Sequence, residues 1–215
     1  MADPFQSFGL TADGGMLMRP QFSTVNPPAL EPVTLDEVAM HVRVDSPDEL
    51  SYIEALTGVA REYIEALTGR VAVLSELLLV ASNWNCLLNG RDFMRVYRTP
   101  LASVTSIKYY APDSSSLTTI SADDYRVITT TEPGMIQFTG NLPSVESRPD
   151  AIQITFKAGH PIASDSPPML RHAIKMMAAH LYENRAPINI GNISTELPHT
   201  MAAMITNLKL SGWSA

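Results

Sequence analysis

TLDEVAMHVRVDSPDELSYIEALTGVAREYIEALTG, residues 34–69, carries the start and stop signals of two helices and decides the reading of the chain. Thr34-Leu35-Asp36-Glu37 has the form of a capping box, in which the threonine oxygen accepts an amide three residues on and Glu37 reaches back. The helix it starts carries Leu35, Val38, Ala39 and Val42 on one side. Ser46-Pro47-Asp48-Glu49 repeats the device, with proline where its missing N–H costs nothing and two acids at the positive end of the helix dipole. A second helix is therefore predicted from Pro47. Leu50, Ile53, Ala60, Ile64 and Leu67 keep helical spacing, Thr57 fills the gap, and Gly69 supplies a left-handed stop. From Pro47 to Thr68 this helix would span roughly 33 Å. Gly58 opposes it by about 1 kcal/mol relative to alanine. The strong ends outweigh that cost, and the missing side chain leaves room for another helix at close range.

Working outward, 215 residues with 45% hydrophobic content can bury a real core. No run approaches the roughly 20 apolar residues of a membrane helix, so no membrane partner is expected. Met1-Ala2-Asp3-Pro4 lacks the basic and apolar regions of a signal peptide. The single cysteine, Cys86, excludes an intramolecular disulfide and suits a reducing cytoplasm. A net charge of −7 disfavours sequence-independent nucleic-acid binding, which needs lysine and arginine to neutralise phosphates.

Residues 1–33 hold Pro4, Pro20, Pro27, Pro28 and Pro32, with scattered apolar residues such as Phe5, Phe8 and Met16, and read as an extended arm without its own core. Residues 34–70 form the first part of a helical core. Residues 71–160 read as a β region: strands at Val71–Ala81, Phe93–Tyr97, Val104–Tyr110, Tyr125–Ile128, Met135–Phe138 and Ile152–Lys157, with Asn83–Asp92 as a loop. The last strand alternates Ile152, Ile154 and Phe156 with Gln153, Thr155 and Lys157, placing one face in a core. Residues 161–186 supply the second part of the helical core. There Ser166-Pro167 opens a helix with Leu170, Ile174, Met177 and Leu181 on one stripe, ending near Asn184. Residues 187–215 are a loop and a last amphipathic segment, Met201, Met204, Ile205 and Leu208 sharing a side and Trp213 trailing. This segment either folds back on its own core or anchors another protein. The expected class is α+β: an antiparallel helical core with an inserted small antiparallel sheet or sandwich.

No constellation points to catalysis. His172 and His180 are eight apart on one helix, roughly 80° around its axis, and miss the i, i+4 spacing of a helical metal site. Asp123-Asp124 precedes a strand and suits a turn. Cys86 has no histidine or second cysteine beside it, the default for an inert thiol. Neither a phosphate loop nor a basic-aromatic stripe is present, and no cofactor or metal is expected. An enzyme or ligand site near Asp123, Asp124, His160 and His172 would require those groups to converge in three dimensions.

In order along the chain stand Val33-Thr34-Leu35-Asp36-Glu37-Val38, His41-Val42-Arg43-Val44-Asp45, Ala60-Arg61-Glu62-Tyr63-Ile64-Glu65 and Thr68-Gly69-Arg70. Val104-Thr105-Ser106-Ile107-Lys108-Tyr109-Tyr110, Asp124-Tyr125-Arg126-Val127, Phe156-Lys157-Ala158-Gly159-His160 and His180-Leu181-Tyr182-Glu183-Asn184-Arg185 follow. Together, over about residues 32–210, they resemble the head–tail connector (head-completion adaptor) family of tailed bacteriophages and prophages, in its longer, sheet-containing members. The family commonly has an aromatic where His160 stands, and residues 1–31 are longer than its usual N-terminus.

The resemblance implies a structural virion protein of the neck, assembled in the host cytoplasm. Such a subunit forms a ring of twelve neighbouring copies under the portal protein, extends the DNA channel without binding DNA specifically, and offers a platform to the next neck, stopper or tail protein. It also implies a portal grip by the C-terminal segment, here Leu197, Met201, Met204, Ile205, Leu208 and Trp213. Arg61, Glu62, Glu65 and Arg185 are the expected contacts between copies. A tail-completion or other tail-side neck protein is the alternative.

Overall fold

The computed structural model describes residues 9–10, 16–17, 20–88, 92–185 and 199–210. It is α+β, with the chain divided between two compact units.

The helical unit takes in Pro27–Ser75, Tyr97–Ala102 and the chain from Ala158 on. Its first helix, α1 (Leu35–Val42), has the full capping box: Glu37 N–H donates to Thr34 Oγ1 at 3.2 Å, and Thr34 N–H donates to the Glu37 carboxylate at 2.9 Å. Arg43 ends it in the left-handed region at φ 62°, where Val44 N–H reaches the Ala39 carbonyl. The expected start of the long helix at Pro47 is displaced. Pro47–Glu49 form one 3-10 turn with no side-chain cap from Ser46, and α2 runs Leu50–Thr68 to a left-handed Gly69.

Ile53, Ala60 and Ile64 of α2 are buried against α4 (Pro168–Glu183), which contributes Leu170, Ile174 and Met177. Each large side chain so buried is worth about 1.5–3 kcal/mol. The gap-filling Thr57 is buried and donates its hydroxyl to the Ile53 carbonyl at 2.8 Å, so its polar atom costs nothing. Gly58 does not admit another helix: a Cβ there would meet the Glu31 carboxylate at 3.6 Å, an ordinary contact. Gly159, at φ 104°, is where glycine is required, because a Cβ would lie 2.4 Å from the Val73 carbonyl oxygen.

The other unit takes in Glu76–Val96, Ser103–Lys157 and the described residues up to Asn26. A short antiparallel pair, β1 (Gly9–Leu10) and β2 (Met16–Leu17), stands apart from two larger sheets. The five-stranded sheet comprises β3 (Gln21–Asn26), β4 (Ser75–Ala81), β6 (Leu101–Tyr110), β7 (Leu117–Thr119) and β10 (Ile152–Ala158), in the order β3-β4-β10-β6-β7. The three-stranded sheet, β5 (Phe93–Val96), β8 (Tyr125–Ile128) and β9 (Gly134–Phe138), is antiparallel in the order β5-β9-β8. The alternation read in the last strand is observed, with Ile152, Ile154 and Phe156 fully buried.

Three local readings change. Within the supposed arm, β3 pairs antiparallel with β4, and Phe22 meets the Phe156 ring edge-on at 6.2 Å. Residues 71–74 precede β4 rather than belong to it. The supposed loop contains α3 (Trp84–Leu88), whose start Asn83 caps by accepting the Cys86 N–H at 3.0 Å. Trp84 then donates its indole N–H to the Pro143 carbonyl and lies edge-on to Phe138.

Candidate assembly surfaces

Two of the residues expected between copies lie inside the helical unit. The Arg61 guanidinium is buried, 2.8 Å from Glu31 and 3.1 Å from Glu65 along α2. Glu65 also accepts the Ala72 N–H at 2.7 Å. Burial pushes the Glu65 carboxyl above its ordinary range, against the opposing pull of the Ala72 amide and Arg61. The triad ties the segment before α1 to α2 and to the chain leaving it. Nothing in the one-letter pattern distinguishes this buried arginine from Glu62, one residue on, which is exposed.

Arg185 sits at the surface, but on its own chain. It pairs with Glu49 at 3.1 Å, and its guanidinium stands 4.4 Å from the Tyr182 ring centre and 4.9 Å from that of Tyr52. The Tyr182 hydroxyl donates to the same Glu49 carboxylate. That hydrogen bond, with the one from Arg185, holds the Glu49 carboxyl below its ordinary range.

The C-terminal helix, α5 (His199–Leu208), turns its apolar side inward. Met201 and Leu208 belong to the core formed with α2 and α4, Ile205 packs against it, and Met204 is half-buried. Beyond the helix, Leu210 N–H donates to the Thr68 carbonyl at 3.1 Å, and Arg70 Nε donates to the Leu208 carbonyl at 2.7 Å. Of the two readings of this segment, fold-back on its own core describes residues 199–210. Leu197 and Trp213 lie outside the described residues.

The groups named for an enzyme site are divided between the units. Asp123 and Asp124 close a 3-10 turn capped by Ser121, and Asp124 lines a concavity of about 430 Å³ with Tyr109, Thr119 and Asn141. In the helical unit, His160 lends its backbone carbonyl to Leu74 N–H. His172 meets His41 of α1 edge-on at 5.9 Å, a pairing that periodicity along one helix could not reveal. Among the described residues no group of three or more His, Cys, Asp or Glu could hold a metal. No described helix is long and apolar enough to cross a membrane.

What the sequence reading missed is on the outer side of α2. Tyr52, Val59 and Tyr63, exposed by 37%, 54% and 44%, recur at i, i+7 and i+11 and so share one line within about 20°. Ala55 lies exposed between them, and the exposed charges on the helix are Glu54 and Glu62. Met40 of α1 (80%) and Met169 of α4 (44%) are also exposed.

No family model and no curated protein matches this sequence. Solved structures do match, and they show a fold that occurs among chains of gene transfer agent (GTA) particles. A chain from the neck of an empty GTA particle, computed with C6 symmetry, aligns with a TM-score of 0.69 and 18% identity, over 89% of this chain and 96% of its own. A chain from the virion of a native gene transfer agent (GTA) particle gives 0.70 and 20%, over 88% and 95%. A chain from the neck of a native GTA particle, computed with C12 symmetry, gives 0.63 and 22%, over 90% and 96%. At these identities the likeness establishes a shared fold over nearly the whole of both chains.

Proposed function

We propose that this chain is a structural neck component of a phage-like particle, a head–tail adaptor that assembles as a ring under the portal and carries the DNA channel onward. The observation that carries this is the near full-length likeness to chains of particle necks computed with sixfold and twelvefold symmetry. It agrees with the resemblance drawn from the sequence motifs alone. The body of each subunit is the α1–α2–α4–α5 core. A net charge of −7 per copy agrees with a channel that does not hold DNA phosphates. Its work is contact rather than catalysis.

The portal grip falls to positions not consumed by the core. Met201 and Leu208 are committed inside the subunit, which leaves Met204 among the described residues of the proposed anchor. The next neck or tail protein binds the opposite end of the ring.

Co-sedimentation with purified portal rings, and in parallel with tail tubes, from the same genome tests this assignment. Saturable binding to portal rings supports it. Binding to tail tubes alone transfers the protein to the tail side of the neck, and binding to neither, with both partners shown competent, overturns it.

A further inference from the structure

We propose that the outer face of the three-stranded sheet in one copy docks on the outer side of α2 in the next, two arginines of the sheet meeting two acids of the helix. The inference rests on the ring assignment above and adds the surfaces that meet. Register fixes the sheet face: Arg95 and Ile128 stand opposite Met135, and Phe93 and Arg126 stand opposite Gln137, so these six side chains lie together. The reverse face is the buried one and carries Met94, Val96 and Ile136. Arg95 and Arg126 are exposed, and among the described residues neither has an ion pair. Asp92, at the edge of the same face, accepts the Gln137 side-chain amide at 3.1 Å.

The complement is on the same chain. Residues 27–69 hold nine acids against two bases, a difference of seven that is the whole of the net −7. Of those bases, Arg61 is buried between Glu31 and Glu65 and offsets nothing at the surface. On α2, Ala55, Val59, Glu62 and Tyr63 are exposed neighbours at i, i+4, i+7 and i+8, with Glu54 at the edge of the strip and no exposed base. Spacing agrees as well as sign. Glu54 and Glu62 are eight residues apart, about 12 Å along the helix. Arg95 and Arg126 flank the middle strand with a two-residue offset, about 12 Å on the diagonal. Ala55 and Val59 lie between the acids, and Met135 and Gln137 between the arginines. Two sheet faces brought together oppose arginines, and two α2 faces oppose acids, so unlike surfaces pair, as a head-to-tail ring requires. Nucleic acid is the competing occupant, but two cations are few for tracking phosphates, and the half-buried Phe93, Met135 and Ile128 between them suit a protein surface.

The test mixes Val59→Cys copies with Met135→Cys copies, both in a Cys86→Ser background, and treats them with a short bismaleimide, alone at high concentration and again on portal rings. A covalent dimer is expected from the mixture and none from either variant by itself. Arg95→Glu with Arg126→Glu in the Met135→Cys copy is expected to reduce its yield at least tenfold while leaving the urea midpoint unchanged. Glu54→Lys with Glu62→Lys in the Val59→Cys copy should then restore it. Dimers from either cysteine variant by itself would mean that like faces meet and would overturn the proposal, as would a loss that the exchanged charges do not restore. Double-stranded DNA retained by the wild type and released by Arg95→Glu with Arg126→Glu, at unchanged dimer yield, would give the arginines to nucleic acid and overturn it too. No mixed dimer under either condition overturns it, and stoichiometric portal binding in that case leaves the adaptor assignment standing. A mixed dimer without portal binding would support these surfaces and remove the portal assignment instead.

Discussion

Replacing Arg61 with methionine removes the cation paired with the buried Glu65 carboxylate and leaves Arg98 as the cation that still acts on it. Methionine fills much of the arginine stem, so the principal loss is charge: Glu65 keeps the Ala72 amide at 2.7 Å but loses the guanidinium at 3.1 Å, and Glu31 loses its partner at 2.8 Å. Breaking a buried pair by removing one member typically costs about 3–5 kcal/mol, a large share of the roughly 5–15 kcal/mol that holds a domain folded. The sign with pH follows from Glu65. Its folded value already lies above its ordinary 4.5 because of burial, and removing Arg61 raises it further. An acid with a raised folded value destabilises the fold when ionised. The penalty is therefore absent below about 4.5, grows through the gap to the folded value, and is complete above it. Urea unfolding of Arg61→Met should show its largest deficit at pH 7.5 and recover toward pH 5. Adding Glu65→Gln should restore most of the loss at pH 7.5, because glutamine still accepts the Ala72 amide without a charge to strand. A deficit under about 1 kcal/mol, or one that Glu65→Gln does not relieve, would refute the reading of this triad as internal structure.

Gly58→Ala should stabilise the chain by about 1 kcal/mol in the same assay, since alanine suits the helix interior and its Cβ meets Glu31 at an unstrained 3.6 Å. Met201→Ala should cost about 2–5 kcal/mol, as for a fully buried methionine, while Met204→Asp should leave the urea midpoint nearly unchanged and weaken portal binding. His41 is held below its ordinary 6.5 first by burial and then by His172 and Lys175, so the fold binds its proton less readily than the unfolded chain. This contribution is complete above 6.5 and is lost as pH falls through 6.5 toward the folded value. His41→Gln should flatten that part of the curve of urea midpoint against pH.

The helices were legible because their signals are local. A capping box, a left-handed glycine and an apolar stripe each lie within a few residues, and Thr34, Gly69 and the Leu170–Ile174–Met177 row act as read. The strands were legible where one face is buried, as in β10. They were lost where burial is slight: β3 has no fully buried residue, and its identity comes from pairing with the sequence-distant β4. Asn83 before Trp84 was a usable cap signal for α3, obscured by a following stretch of only five helical residues.

The assembly residues were harder, for a physical reason. A charged residue on a helix reads the same whether it faces solvent, a partner or a buried counter-charge. Arg61 and Glu65 turned out to face each other, and Arg185 faces Glu49. The amphipathic C-terminal segment likewise could not declare whose core it completes. Exposed apolar positions such as Val59 and Tyr63 show only once the buried face of α2 is known, because subtraction reveals them.

As a neck adaptor, copies of this chain are proposed to build a ring on a portal. The most direct measurement is the mass of the complex formed with intact portal rings from the same genome, determined by mass photometry or analytical ultracentrifugation. The expected result is one saturated species carrying twelve chains of 23.5 kDa each. Portal rings that stay bare at saturating protein, or that bind a scattered number of chains without a preferred stoichiometry, would contradict it.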